Sequence, residues 1–222
     1  MISCNLNSVS RVLCIGAHSD DIEIGCGGTL LELTRNSPGI EFSWLVLAAN
    51  PERAMEAESS AHAFLEKAGP RTISILSFQD GFLPYSGREV KECFEALKKN
   101  FNPDLIFTHC RQDLHQDHRF LCELTWNTFR NHLILEYEIP KYDADLGAPN
   151  FFVPLSESIC EQKISMLLRF FGTQQNKQWF DADLFRGYLR LRGVEAASPT
   201  RFAEAFHCRK LVAGTGKKDN DQ

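Results

Sequence analysis

At 222 residues, with 43% apolar and 24% charged residues, the chain has the composition of a single globular domain large enough to bury a substantial core. A formal net charge of −5, without any basic stripe interleaved with aromatics, excludes nucleic acid as a main partner. No apolar run approaches the roughly 20 residues that cross a bilayer, and no basic segment precedes the first apolar run, so neither a membrane span nor a signal peptide is expected.

Val12 to Ala17 reads as a short buried strand. It runs into the polar cluster His18, Asp20 and Asp21, then into small residues, with a helical pattern from about Thr29 to Asn36 that Ser37-Pro38-Gly39 closes. Phe42 to Ala49 is a second strand. After the Asn50-Pro51 loop, Glu52 to Ala68 has helical spacing and ends at Gly69-Pro70. Ile73 to Leu76 is a third strand, Asp80-Gly81 a turn, and Gly87 to Asn100 an amphipathic helix carried by Val90, Phe94 and Leu97. Asp104 to Thr108, a helix over about His118 to Arg130, and a strand over Leu133 to Ile139 follow. Alternation of this kind predicts βαβ units, right-handed crossovers and a mostly parallel sheet in a Rossmann-like, three-layer α/β fold. Beyond residue 140 the pattern is less regular: Ser156 to Phe171 and Ala182 to Arg192 read as helices, and Arg201 to His207 as a short C-terminal one. A single domain over 1–213 and a disordered tail over 214–222 are expected.

Two ionisable clusters follow strands. His18 and Asp21 offer an imidazole and a carboxylate, ligand types for zinc or another borderline divalent ion, with Asp20 between them free for another task. Helix capping by either aspartate is the plain alternative. The second cluster is His109, Arg111, Asp113, His115, Asp117, His118 and Arg119, where three of the chain's seven histidines fall within ten residues. His115 and His118 can turn both rings to one point if a helix starts there. In open α/β sheets such strand ends face the ligand crevice.

His18-Ser19-Asp20-Asp21 with Gly25-Cys26-Gly27-Gly28-Thr29 resembles the A-H-P-D-D…G-x-G-G-T signature of the LmbE-like/PIG-L deacetylase family. Asp113-Leu114-His115-Gln116-Asp117-His118-Arg119 is similar to its D-x-H-P-D-H-R motif, Asp80-Gly81-Phe82-Leu83 to its D-G-x-L turn, Glu52-Arg53 to its arginine-bearing loop, and Arg201 to Phe206 to its terminal Y-A-E-A-F segment. Ser19 and Gln116 replace the two motif prolines. Neither proline supplies a ligand, so the changes are expected to alter loop stiffness more than chemistry.

The resemblance implies a metal-dependent hydrolase that removes an N-acetyl group from an amino sugar or an N-acetylglucosamine-containing glycoconjugate. His18, Asp21 and His118 match the family's ligands and would hold one Zn2+ per chain. Fe2+ also suits two nitrogens and a carboxylate. Asp20 would be the general base. A protonated His115, oriented by Asp117, would stabilise the oxyanion, and Arg53 would bind substrate. The expected partner is thus a small amino-sugar molecule. An amidase acting on a larger sugar conjugate is the nearest alternative. A non-catalytic metal binder is another, and a nucleotide-binding Rossmann module a third, although Asp20 and Asp21 would repel a pyrophosphate at Gly25–Gly28.

Eight cysteines without any C-x-x-C spacing read as free thiols in a reducing compartment, hence a cytoplasmic protein. Apolar surface on the 140–200 segment would favour self-association into a homo-oligomer.

Overall fold

The structure, a computed structural model, describes residues 4–212. The tail expected over 214–222 lies outside them. The described chain forms one seven-stranded sheet in the order β3-β2-β1-β4-β5-β7-β6. Its strands are β1 (Arg11–Gly16), β2 (Glu41–Val46), β3 (Arg71–Ile75), β4 (Leu105–His109), β5 (Leu133–Tyr137), β6 (Phe151–Leu155) and β7 (Phe202–Cys208). The first five pair in parallel, and β7 runs antiparallel between β5 and β6. The helices are α1 (Asp21–Asn36), α2 (Pro51–Phe64), α3 (Gly87–Asn100), α4 (Gln116–Thr128), α5 (Glu157–Phe170) and α6 (Ala182–Glu195).

Alternation along β1 divides the core. Val12 and Cys14 face a cluster with Phe64 of α2, Leu167 of α5 and Leu189 of α6. Leu13 and Ile15 face the other side, with Phe94 of α3 and Leu121 of α4. The three-layer, mostly parallel architecture read from the alternation of strands and helices is the one observed. Among the described residues no helix is long and apolar enough to cross a membrane.

Helix starts follow local chemistry. Asn50 caps α2 by accepting from the Arg53 N–H at 2.9 Å, with Pro51 in the first turn, so the helix begins one residue before Glu52. Asp181 caps α6 through the Leu184 N–H at 2.8 Å. Two departures from the sequence reading have physical causes. Arg201–His207 is not a helix: residues 202–208 form strand β7, whose period-two run places Phe202, Glu204 and Phe206 on one face. Strand β6, absent from that reading, contains Pro154. It is tolerated because β6 is the sheet edge, where one side of the strand needs no partner.

A further departure concerns α1. It starts at Asp21, not near Thr29, and carries the glycines in its interior. Glycine disfavours a helix by about 1 kcal/mol per residue relative to alanine, but tertiary contacts need these positions bare. A Cβ at Gly25 would lie 2.2 Å from the Tyr137 ring, and one at Gly28 would lie 2.5 Å from Leu155 and 2.9 Å from Glu204. Glu204 of β7 reaches that surface and accepts from the Gly28 and Thr29 N–H groups at 2.8 and 2.6 Å. Its buried counter-ion, Lys163 of α5, is 2.6 Å away and also donates to the Ile24 carbonyl at 2.6 Å. Gly25→Ala is expected to cost about 1–3 kcal/mol by overpacking against Tyr137. Urea unfolding of variant and wild type would measure it, and a cost under about 0.5 kcal/mol would show that the ring moves freely.

Candidate metal centre

Strand order reverses between β1 and β4, since β2 and β3 build outwards from β1 on one side and β4 and β5 on the other. Crevices at such switch points open beyond the carboxyl ends of the strands. The two ionisable clusters leave the sheet there: His18, Asp20 and Asp21 after β1, and His109 to His118 from the end of β4 through the turn into α4.

Sequence separation of a hundred residues disappears in the fold. His18 Nδ1 lies 3.2 Å from His118 Nε2 and 3.3 Å from Asp21 Oδ2, and these last two atoms are 3.5 Å apart. Three ligands bound to one tetrahedral ion at about 2.05 Å would be roughly 3.3 Å from one another. The donor set therefore fits a zinc-sized ion.

The nitrogens facing away from this point are held by carboxylates. His118 Nδ1 pairs with Asp113 Oδ2 at 2.9 Å. His18 Nε2 is 2.9 Å from Asp80 and 3.3 Å from Asp117. Carboxylate backing of this sort fixes ring orientation and ligand basicity in metal sites. Two other groupings share these atoms, Asp21–His109–His118 and His18–His115–His118. The first is less available, because His109 Nε2 accepts the Ala17 N–H at 2.9 Å. In the second, His115 Nδ1 accepts from the Asp117 N–H at 3.2 Å and caps α4.

Charge follows from these contacts. Burial opposes ionisation of Asp21, but His118, His109 and His18 outweigh it and hold its carboxyl well below the usual range. Burial likewise works against a charge on His18, yet the Asp21 carboxylate and hydrogen bonds donated to Asp117, Asp21 and Asp80 raise its pKa well above the ordinary value. His118 is pushed down to about 4 by burial and by His109, so it is neutral at pH 7 and ready to coordinate. Burial raises the Asp20 carboxyl, against the opposing pull of Arg53. Glu23, also buried in α1, is pushed up to about 8 by desolvation, so it adds no charge to the two aspartates.

Two expected roles are altered by the geometry. Asp117 does not orient His115: its carboxylate accepts from the Gly81 and Leu83 N–H groups at 2.8 and 3.1 Å and faces His18 instead. His115 is not held charged either, because burial and then the neighbouring His18 lower its pKa. Arg53 is placed on the cleft wall, but its guanidinium is bound to Asp20 Oδ1 at 2.6 Å. Gln116 donates to the Gly81 carbonyl at 3.0 Å, tying the second motif to the Asp80-Gly81 turn by a bond that proline could not make. Cys26 and Cys110 turn to Ile22 and Gln112, away from the cluster.

His109, Asp80, Asp113 and Lys141 complete the surroundings; the first three stand in the clusters and motifs of the sequence, but none of the four was assigned a role from it. His109 is fully buried and stacks on His118 at 3.8 Å between ring centroids. Its position as the last residue of β4 was the available signal. Lys141 had none, since it reaches Asp113 at 3.0 Å from an irregular loop.

All of this opens into a cleft of about 730 Å³ lined by His18, Asp20, Arg53, His115, Lys141 and Trp179, among others. The sequence profile of the family described as PIG-L, GlcNAc-PI de-N-acetylase, matches residues 13–129, more than half of the chain. The chain belongs to the PIG-L family. Diacetylchitobiose deacetylase of Thermococcus kodakarensis is 32% identical over 127 residues, which cover 51% of this chain and 46% of that protein, so the match spans about half of the relative's length. N,N'-diacetylchitobiose deacetylase of Pyrococcus horikoshii superposes with a TM-score of 0.68 at 23% identity, over 91% of this chain and 84% of that one. GalB of Pseudomonas putida, a 4-carboxy-2-hydroxymuconate hydratase, superposes at 0.73 with 13% identity over 94% and 99%. The PIG-L fold is thus shared with other chemistry, and activity has to be argued from the site.

The carboxylate backing gives a direct expectation. Asp113→Ala removes the partner of His118 Nδ1 and one of the two close carboxylates of Lys141, and should weaken binding of an added divalent ion at this site about 10–100-fold. Competition with a chelating dye would read this, and unchanged affinity would mean that stacking on His109 alone orients the ring.

Proposed function

We propose that this chain is a metal-dependent N-deacetylase that hydrolyses the acetamide of an N-acetylglucosamine-type sugar. The observation that carries the reading is the mutual 3.2–3.5 Å spacing of His18, Asp21 and His118, with carboxylates behind both rings and Asp20 beside them. The family's description and the printed activity of the Thermococcus relative support the same chemistry.

His18 Nδ1, Asp21 Oδ2 and His118 Nε2 would hold the ion, zinc being our choice for two imidazoles and a carboxylate. When bound, such an ion acidifies water towards pKa 7 and polarises the amide carbonyl. Asp20, whose proton affinity burial raises, accepts the proton of the attacking water. Arg53 favours the ionised form of Asp20 through its 2.6 Å contact, opposing burial, and offers its remaining donors to sugar hydroxyls. His115, neutral and with Nδ1 engaged as an acceptor, carries its proton on Nε2 and donates from there to the developing oxyanion. The C–N bond then breaks, the carboxylic acid of Asp20 protonates the departing amine, and acetate and the free amino sugar remain. The cleft volume lies within the range of drug-sized ligands, which suits a sugar bearing a further substituent better than a monosaccharide alone.

Metal analysis of the purified protein, together with acetate release from a panel of N-acetylated amino sugars, tests this reading. About one metal per chain and chelator-sensitive acetate release are expected. Failure to bind metal after reconstitution would remove the centre as drawn. Bound metal without acetate from any substrate in the panel would move the reading to an amidase on a larger conjugate.

A further inference from the structure

Next to the cleft, and sharing Lys141 and Trp179 with it, lies a second depression of about 280 Å³. Its remaining wall is mainly apolar, contributed by Tyr142, Ala144 and Leu146 of the loop after β5 and by Leu184 of α6. Tyr142 and Leu146 are 71% and 42% exposed, so two large apolar side chains surround a concavity instead of filling it. Exposed apolar surface grouped around a hollow marks a binding surface more often than a packing defect.

The loop is held in place. Glu138 Oε1 accepts the Gly147 N–H at 2.6 Å and closes its base, and Arg192 pairs with the same carboxylate at 2.6 Å. Across its middle, Lys141 donates to Asp145 at 2.5 Å and reaches Asp113 at 3.0 Å, while Asp145 accepts the Leu114 N–H at 2.7 Å. Ala144 sits at φ 53°, a left-handed conformation that a non-glycine residue keeps only where its surroundings impose it. Loop anchoring thus spends buried ion pairs on presenting Tyr142 and Leu146 at a fixed place beside the cleft.

We infer that this depression is a substrate subsite for an apolar, ring-sized substituent carried by the amino sugar whose acetamide lies at the metal centre. Continuity selects this occupant: Trp179 and Lys141 form the wall common to both hollows, so a group attached to a sugar in the cleft reaches the depression without leaving the surface. Trp179 is half-buried, with the Phe180 ring edge-on at 5.6 Å and Lys177 Nζ 5.6 Å from its centroid, and the indole surface that remains lines both hollows. The inference rests on the proposed deacetylase reading for the position of the sugar.

The test compares methyl and phenyl β-glycosides of N-acetylglucosamine with the metal-loaded protein. Phenyl should be preferred about tenfold in kcat/KM, as expected for an aromatic ring removed from water, and Leu146→Asp or Tyr142→Ala should bring that ratio close to one. Equal kcat/KM for the two glycosides in the wild type, or a preference that survives both substitutions, would overturn the subsite. Phenyl β-glucoside, which has no amide, separates this result from failure of the deacetylase reading. Binding to the wild type tighter than methyl β-glucoside, lost in Leu146→Asp and read by tryptophan fluorescence, supports the subsite even if no acetate is released. Indistinguishable binding of the two glucosides, with a change of oligomeric state in Leu146→Asp, would assign the loop to a contact between copies of the chain and overturn the proposal.

Discussion

Asp20→Asn is expected to leave about one metal per chain and to cut kcat by roughly 10²–10⁴-fold, the usual worth of a positioned general base. The variant separates roles that lie one residue apart. Asp21 points Oδ2 at the two imidazoles, whereas Asp20 Oδ1 is bound by Arg53 at 2.6 Å. Asparagine keeps the size of the side chain and an oxygen for Arg53, so the architecture survives, but an amide cannot take a proton from water. The residual activity should also lose the acid limb of its pH profile, because the carboxylate whose protonation stops the reaction has gone. Wild-type turnover in a variant that retains its metal would sink the assignment of Asp20. Loss of metal as well would mean that Asp20 helps hold the ion, and the roles of the two aspartates would need redistribution.

Glu204→Ala is expected to destabilise the fold by about 3–5 kcal/mol, the cost of leaving one member of a buried ion pair without its partner. For a chain of this size that is a fall of roughly 6–20 °C in Tm. Lys163, at 2% side-chain exposure, would be left with only the Ile24 carbonyl, and the Gly28 and Thr29 N–H groups would lose the Glu204 carboxylate. The same buried contacts suggest a rescue. Lys163→Met with Glu204→Gln removes both charges while keeping an amide oxygen near α1, and should be more stable than Glu204→Ala. If the single variant melts within about 2 °C of wild type, the ion pair is not what seats α1 on β7.

The alternation of strands and helices was legible in the chain from Val12 to Ile139 because period-two and period-3.6 patterns are local. So were the two polar clusters, since a histidine and aspartates interrupting an apolar run need no knowledge of neighbours. Glycine composition misled at α1. Gly25, Gly27 and Gly28 read as small residues ahead of a helix from about Thr29, yet they lie mid-helix where Tyr137, Phe64 and Glu204 approach too closely for a Cβ. Pro154 hid β6 in the same way, because only an edge position makes proline harmless in a strand.

Residue types and spacing by themselves determined the fold class and the chemical character of the two strand ends; the resemblance to the family singled out His18, Asp21 and His118, which the structure brings within 3.5 Å of one another. Tertiary structure alone decided which carboxylate stands behind which ring. It turned Asp117 to His18 and not to His115, placed Arg53 on Asp20, brought Asp80 and Lys141 to the centre from separate loops, and buried His109 against His118. A strand end exposes its chemistry through a handful of adjacent residues. The partners of each ring nitrogen come from turns tens of residues away, and their approach is set by how helices pack on the two faces of the sheet.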